Sequence, residues 1–107
     1  MNTYHEIQLD ALGDATRRAI IDRLRRGALP VRQLAEGFAI SRPAISQHLR
    51  VLKDARLVTD HAEGTRRIYA IDPAGFESLR DYLDQFWSDA LSAFRRKAEQ
   101  RPTRRKR

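Results

Sequence analysis

Arg42, Ser46, Gln47, His48 and Arg50 fall within one short stretch, SRPAISQHLRVLK. An arginine can donate two parallel hydrogen bonds to guanine, and a glutamine can exchange two with adenine, so these side chains suit the reading of base edges. Ser41 and Lys53 bracket the set and suit phosphate oxygens. Arg66 and Arg67 stand beside Gly64, at the turn of a short extended ribbon, where guanidinium groups gain by displacing counterions from a nucleic-acid backbone. Alternation along a strand sends only one of that pair toward a duplex, and Arg66 is the favoured one. His48 fits a base or phosphate contact about as well as a plain surface position.

The same residues do not assemble into a reaction centre. His5, His48 and His61 are widely separated, and the acids Glu77, Asp81, Asp84 and Asp89 come without a histidine. There is no cysteine, which removes disulfides and thiolate metal sites. No nucleophile–base pair, glycine-rich phosphate loop or paired-carboxylate pattern is present. The expectation is no enzyme, no resident metal and no cofactor.

Local signals say which elements would carry the base-reading residues. Tyr4, Ile7, Leu9 and Leu12 suggest a first helix ending near Gly13. Asp14 is a cap for a second, with Ala19, Ile20 and Leu24 inward and Gly27 as a stop. Pro30 suits the first turn of a third helix, whose core side would be Leu34, Ala35 and Phe38. Ser41 caps the fourth, and Pro43 falls in its first turn, where a missing N–H does no harm. Ile45, Leu49 and Leu52 then recur at i, i+4 and i+7, which turns Arg42, Ser46, Gln47, Arg50 and Lys53 off the apolar stripe. Val58–His61 and Arg67–Ile71 read as strands around a turn at 62–66. Asp72-Pro73 opens a last helix running to about Ala98. The fold class is mainly α with a small β part: a four-helix body containing a helix–turn–helix, a two-stranded wing and a long C-terminal helix. This order is one that presses a helix into the DNA major groove.

The last helix carries more large apolar groups than so small a body can cover. Phe76, Leu79, Leu83, Phe86, Trp87, Ala90 and Phe94, with Tyr4, Ile7 and Leu9 of the first helix, are assigned to a subunit interface in a homodimer. Two-fold symmetry would place two reading helices about one DNA turn apart, on an inverted repeat. Two other readings stay open on this sequence. The apolar face could take a hydrophobic effector or a partner protein, or the basic end could drive non-specific nucleic-acid binding.

A chain of 107 residues is one domain, here 1–98, followed by a tail at 99–107 that has no hydrophobic pattern and is expected to be disordered. The net charge of +7 lies wholly in residues 95–107, where eight Lys/Arg meet only Glu99. Residues 1–94 are neutral, with 13 basic and 13 acidic side chains, so attraction of the body for a polyanion must come from local clustering. No apolar run approaches the roughly 18 residues of a membrane span, and the N-terminus lacks a signal-peptide pattern. The expected location is the cytoplasm.

Three stretches, LGDATRRAIIDRL (12–24), LAEGFAISRPAISQHLRVLKDARLV (34–58) and EGTRRIYAI (63–71), occur in the order found in winged-helix repressors of the ArsR/SmtB type, which the chain resembles over about residues 5–95. The resemblance implies a homodimer of winged helices that binds an operator and blocks transcription, with the helix at 42–55 in the major groove. Metal-sensing members carry cysteines at the start of the third helix, where this chain has Pro30 and Arg32, or histidines on the last helix, where it has none. The resemblance is therefore to the non-metal branch, which includes autorepressors.

Overall fold

The computed structural model describes residues 3–100. In chain order the elements are α1 (Thr3–Ala11), α2 (Ala15–Leu24), β1 (Leu29–Pro30), α3 (Val31–Ala35), α4 (Arg42–Asp54), β2 (Val58–Glu63), β3 (Arg66–Ile71) and α5 (Pro73–Gln100). The sheet is antiparallel in the order β1-β3-β2. The core is built from the inner faces of α1 to α4 and the chain leading into β2: Ala11, Ile20, Leu24, Leu34, Ile45, Leu49, Leu52, Ala55, Leu57 and Val58 form one buried cluster, against which Phe76 of α5 packs. Apolar burial of this kind is the main term holding so small a body together.

Several sequence expectations are corrected here. The wing is part of a three-stranded sheet, because Leu29 and Pro30 pair with Tyr69 and Ile68. Pro30 is accordingly not in the first turn of a helix. It has φ −70° and ψ 151°, ends β1 and precedes α3 as its cap residue without a side-chain hydrogen bond. A residue with no N–H is tolerated on a sheet edge, which is where it lies. Arg66 is the first residue of β3 rather than part of the turn, since Glu63 and Arg66 are register partners and only Gly64 and Thr65 lie between them. Gly64 has φ +64°, the requirement at the first position of a tight hairpin loop. Ala19 is exposed, and Ile21 joins Ile20 and Leu24 against the core. Glu99 and Gln100, expected in the tail, end α5, and residues 101–107 lie outside the described residues.

The inner face of α1 is not the apolar set. Gln8 is fully buried and Ala11 nearly so, whereas Ile7 and Leu9 are exposed. The Gln8 Nε2 amide lies within donating distance of three oxygens: the Tyr4 hydroxyl (3.1 Å), the Ala55 carbonyl (3.2 Å) and the Gly75 carbonyl (3.1 Å). Those carbonyls belong to the end of α4 and the start of α5, so one buried amide ties three helices at the base of the reading helix. His5 adds a second link from α1 to α5. Its ring stacks on Tyr82 at 4.4 Å, and its Nε2 is 3.1 Å from the Ser78 hydroxyl.

Candidate nucleic-acid interface

α4 forms because its start and its stripe agree. The Ser41 Oγ accepts the Ala44 N–H at 3.2 Å, satisfying one of the orphan donors of the first turn. Ile45, Leu49 and Leu52 are wholly buried, which fixes the rotation of the helix about its axis. Arg42, Ser46, Gln47, Arg50 and Lys53 are thereby exposed. Among the described residues, Arg42, Gln47 and Arg50 make no side-chain hydrogen bond or ion pair, so their donors are available to a ligand. The helix ends in a Schellman arrangement: Arg56 N–H donates to the Lys53 carbonyl and Leu57 N–H to the Leu52 carbonyl, both at 2.9 Å, with Arg56 at φ +61°.

The seat of α4 is the start of α2. Asp14 caps α2 by accepting the Arg17 N–H at 3.0 Å. The Arg17 guanidinium turns back to the end of α1, donating to the Ala11 carbonyl at 2.7 Å, and its Nη1 lies 3.3 Å from His48 Nδ1. A guanidinium only donates, so Nδ1 accepts and the ring proton is assigned to Nε2. Asp14 Oδ2 is 3.9 Å from the same Nδ1. The Arg17 N–H, with the nearby charge of the Arg17 guanidinium, holds Asp14 below its ordinary 3.8. His48 is thus half-buried against α2 while Gln47 and Arg50 face outward. Arg18 likewise donates to the Leu12 oxygen, just past the end of α1, at 2.8 Å. Asp22 pairs with Arg25 and Arg26.

The wing stands beside α4, and one acid joins them. Asp60, with its side chain 8% exposed, receives Lys53 Nζ at 2.8 Å and Arg67 Nε at 3.5 Å. The Lys53 hydrogen bond, with the charges of both cations, keeps the Asp60 carboxyl below 3.8 despite its burial. Burial and the same carboxylate push Tyr69 above 10. Among the described residues Arg66 pairs only with exposed Glu63, at 3.3 Å, a contact worth little in water. Both wing arginines remain more than half exposed. Between α3, the start of α4 and the wing runs a groove of about 720 Å³ whose walls include Arg32, Arg42, Ser46, Arg66, Arg67 and Tyr69.

Residues 14–60, from the cap of α2 to the acid under the wing, match the family described as bacterial regulatory protein, arsR family. The chain is 52% identical over 96 residues to the HTH-type transcriptional regulator Rv2034 of Mycobacterium tuberculosis, covering 88% of this chain and 90% of that protein. This chain belongs to the ArsR family. It is a transcriptional regulator with a DNA-binding helix–turn–helix. The transcriptional repressor SdpR of Bacillus subtilis is 42% identical over 76 residues, 71% of this chain and 84% of that one. Among solved structures, one described as a possible transcriptional regulator for arsenical resistance aligns with a TM-score of 0.69 and 45% identity, covering 80% of this chain and 93% of that one. An ArsR-like transcriptional regulator from Rhodococcus sp. RHA1 aligns at 0.75 and 28%, covering 89% and 92%.

In this ArsR-family chain the apolar residues assigned to a subunit interface divide into two groups. Phe76 packs against the core and Leu79 is 5% exposed, so both serve the protomer itself. Tyr4 is half-buried and holds Gln8. Ile7, Leu9, Leu83, Phe86, Trp87 and Phe94 are exposed, as is Ala90, and Leu91, outside the assigned set, is exposed beside them. Among the described residues no helix is long and apolar enough to cross a membrane.

Sequence reasoning missed Asp60 and gave Arg32 no contact role. Asp60 lowers the stability of the folded chain in acid, because it is protonated at lower pH in the folded state than in the unfolded one. Its contribution is complete above the unfolded value of 3.8 and is lost as pH falls through the lower folded value. Thermal melts are expected to show the midpoint of the native chain falling more steeply below pH 3.8 than that of Asp60→Asn. Parallel curves would count against the coupling.

Proposed function

We propose that this regulator is a homodimeric repressor that binds an inverted-repeat operator. The observation that carries the reading is the outward, unpartnered presentation of Arg42, Gln47 and Arg50 on a capped helix beside a basic wing. Arg42, Ser46, Gln47 and Arg50 take base edges in the major groove, with His48 contributing at the rim. Ser41, Lys53 and Arg66 take phosphates, joined by Arg32 and, because the groove is lined by both wing arginines and not by Arg66 alone, by Arg67. The exposed apolar stripe of α5, with Ile7 and Leu9 of α1, covers itself with a second copy. Repression is favoured by the name and 42% identity of SdpR. The chain has no cysteine with which to hold an arsenical through thiolates.

The test is selection of bound sequences from a random DNA pool, followed by Gln47→Ala and Arg50→Ala on the selected operator. Each substitution is expected to weaken operator binding by about 1–3 kcal/mol and to blur one base position. Equal losses on operator and random DNA overturn base reading. Removal of residues 101–107 is expected to lower affinity without erasing sequence preference. Loss of most binding after that removal would instead favour a tail-driven, non-specific binder.

A further inference from the structure

Asp60 is an acid inside a basic surface, and its position is unusual in three ways. Its side chain is more than nine-tenths buried, although the next three residues of β2 are exposed. It meets two cations from different elements, Lys53 on the last turn of α4 and Arg67 on β3. Those two cations are themselves about half exposed, so the carboxylate sits beneath them and leaves their outer faces open. Tyr69 is its cross-strand register partner on β3.

We propose that Asp60 is a positioning residue for operator recognition, locking the wing to the reading helix through Lys53 and Arg67; the proposal rests on the DNA-reading function above. Without the acid, two long cationic side chains would repel each other across the junction of α4 and the wing and would sample many rotamers. With it, both are ordered before DNA arrives, so less side-chain entropy is lost on binding. The buried negative charge also offsets part of the local positive potential. Indiscriminate attraction to phosphates therefore falls, while a duplex whose backbone matches the fixed spacing of helix and wing keeps its contacts. Asp60 acts on the ratio of operator to random-sequence affinity rather than on affinity as such.

The experiment compares the full chain with Asp60→Asn on the selected operator and on random duplex over a series of salt concentrations. Asp60→Asn is expected to bind random DNA more tightly, with a salt slope steeper by about 1, and to narrow the operator-to-random ratio about tenfold. In a Lys53→Met/Arg67→Met background the same change is expected to leave the ratio unaltered. A folded Asp60→Asn chain with the native ratio and slope overturns the proposal, as does an undiminished effect in the double-Met background. If Asp60→Asn fails to fold, Lys53→Met/Arg67→Met alone decides: a narrowed ratio supports the junction, and a native ratio overturns it. A native chain with no sequence preference at all would instead overturn the DNA-reading function itself.

Discussion

Alanine at position 75 is expected to remove most of the stability of this protein. Gly75 is buried in the first turn of α5, where that helix passes the end of α4. A Cβ there would overlap the Arg56 carbonyl oxygen and come within 2.7 Å of its carbon. Backbone stands on both sides of the collision, so no side-chain rotation relieves it. Arg56 cannot retreat easily, because its left-handed conformation is held by the two closing bonds of α4. Gly75 cannot retreat either: its N–H donates to Asp72 Oδ1 at 3.3 Å and its carbonyl accepts from buried Gln8. Alanine is the better helix former by about 1 kcal/mol, so propensity alone predicts a gain. Steric conflict in a close-packed interior is worth more, about 3–5 kcal/mol, which is a large part of the 5–15 kcal/mol typical of a domain. The thermal midpoint should fall by on the order of 20 °C. A midpoint within a few degrees of the native one would show that α4 and α5 separate at little expense, and would remove the rigid base argued for the reading helix.

The same junction shows what was legible in the residues. α4 was readable because three independent local signals coincide: Ser41 as cap, Pro43 in the first turn, and an apolar stripe that leaves Arg42, Gln47 and Arg50 outside. Strand β1 was not, since Leu29 and Pro30 are too few to show a period and their pairing with Tyr69 and Ile68 is set by tertiary contact. Gln8 was hidden for another reason. A polar residue reads as surface unless its partners are known, and two of its three are backbone carbonyls far along the chain. Asp60 needed the register of β2 on β3 and the direction of Lys53 together. Arg32 needed the groove. What the sequence reading placed well depends on neighbours within a turn or two; what it missed depends on groups brought together from separate elements.

The charge pattern gains a physical sense from the fold. Residues 1–94 are electrically neutral, yet the exposed cations at Arg32, Arg42, Arg50, Arg66 and Arg67 fall on the α3–α4 and wing surface. Several acids that balance them are engaged elsewhere: Asp14 caps α2, Asp22 holds Arg25 and Arg26, and Asp72 caps α5. Sorting of this kind produces a local basic surface without a globally basic body, and contacts at fixed positions can then discriminate between duplexes where net charge cannot.

Introducing Phe86→Glu together with Phe94→Glu is expected to convert the protein to a monomer without unfolding the protomer. Phe86 is 57% exposed, Trp87 62% and Phe94 70%, and every residue from Leu83 to Gln100 is exposed. The helix they stand on has 28 residues, about 42 Å at 1.5 Å per residue, and only its first part lies against the body. A contiguous apolar stripe of this size does not stay open to water in a stable monomer. Across a two-fold axis each residue is used twice, so the double substitution alters four side chains. At about 1.5–3 kcal/mol for burying each phenylalanine, the dimer should lose 5 kcal/mol or more, a change of over a thousandfold in its dissociation constant. Sedimentation equilibrium reads that directly, and circular dichroism confirms that the helices persist. Operator binding should fall with it, because a lone protomer holds one half-site and forgoes the second. If the double variant remains a dimer, the subunits meet elsewhere and the placement of two reading helices on an inverted repeat is lost. If the native chain is itself monomeric at micromolar concentration, the stripe serves a partner of another kind, and the regulator reads DNA one protomer at a time.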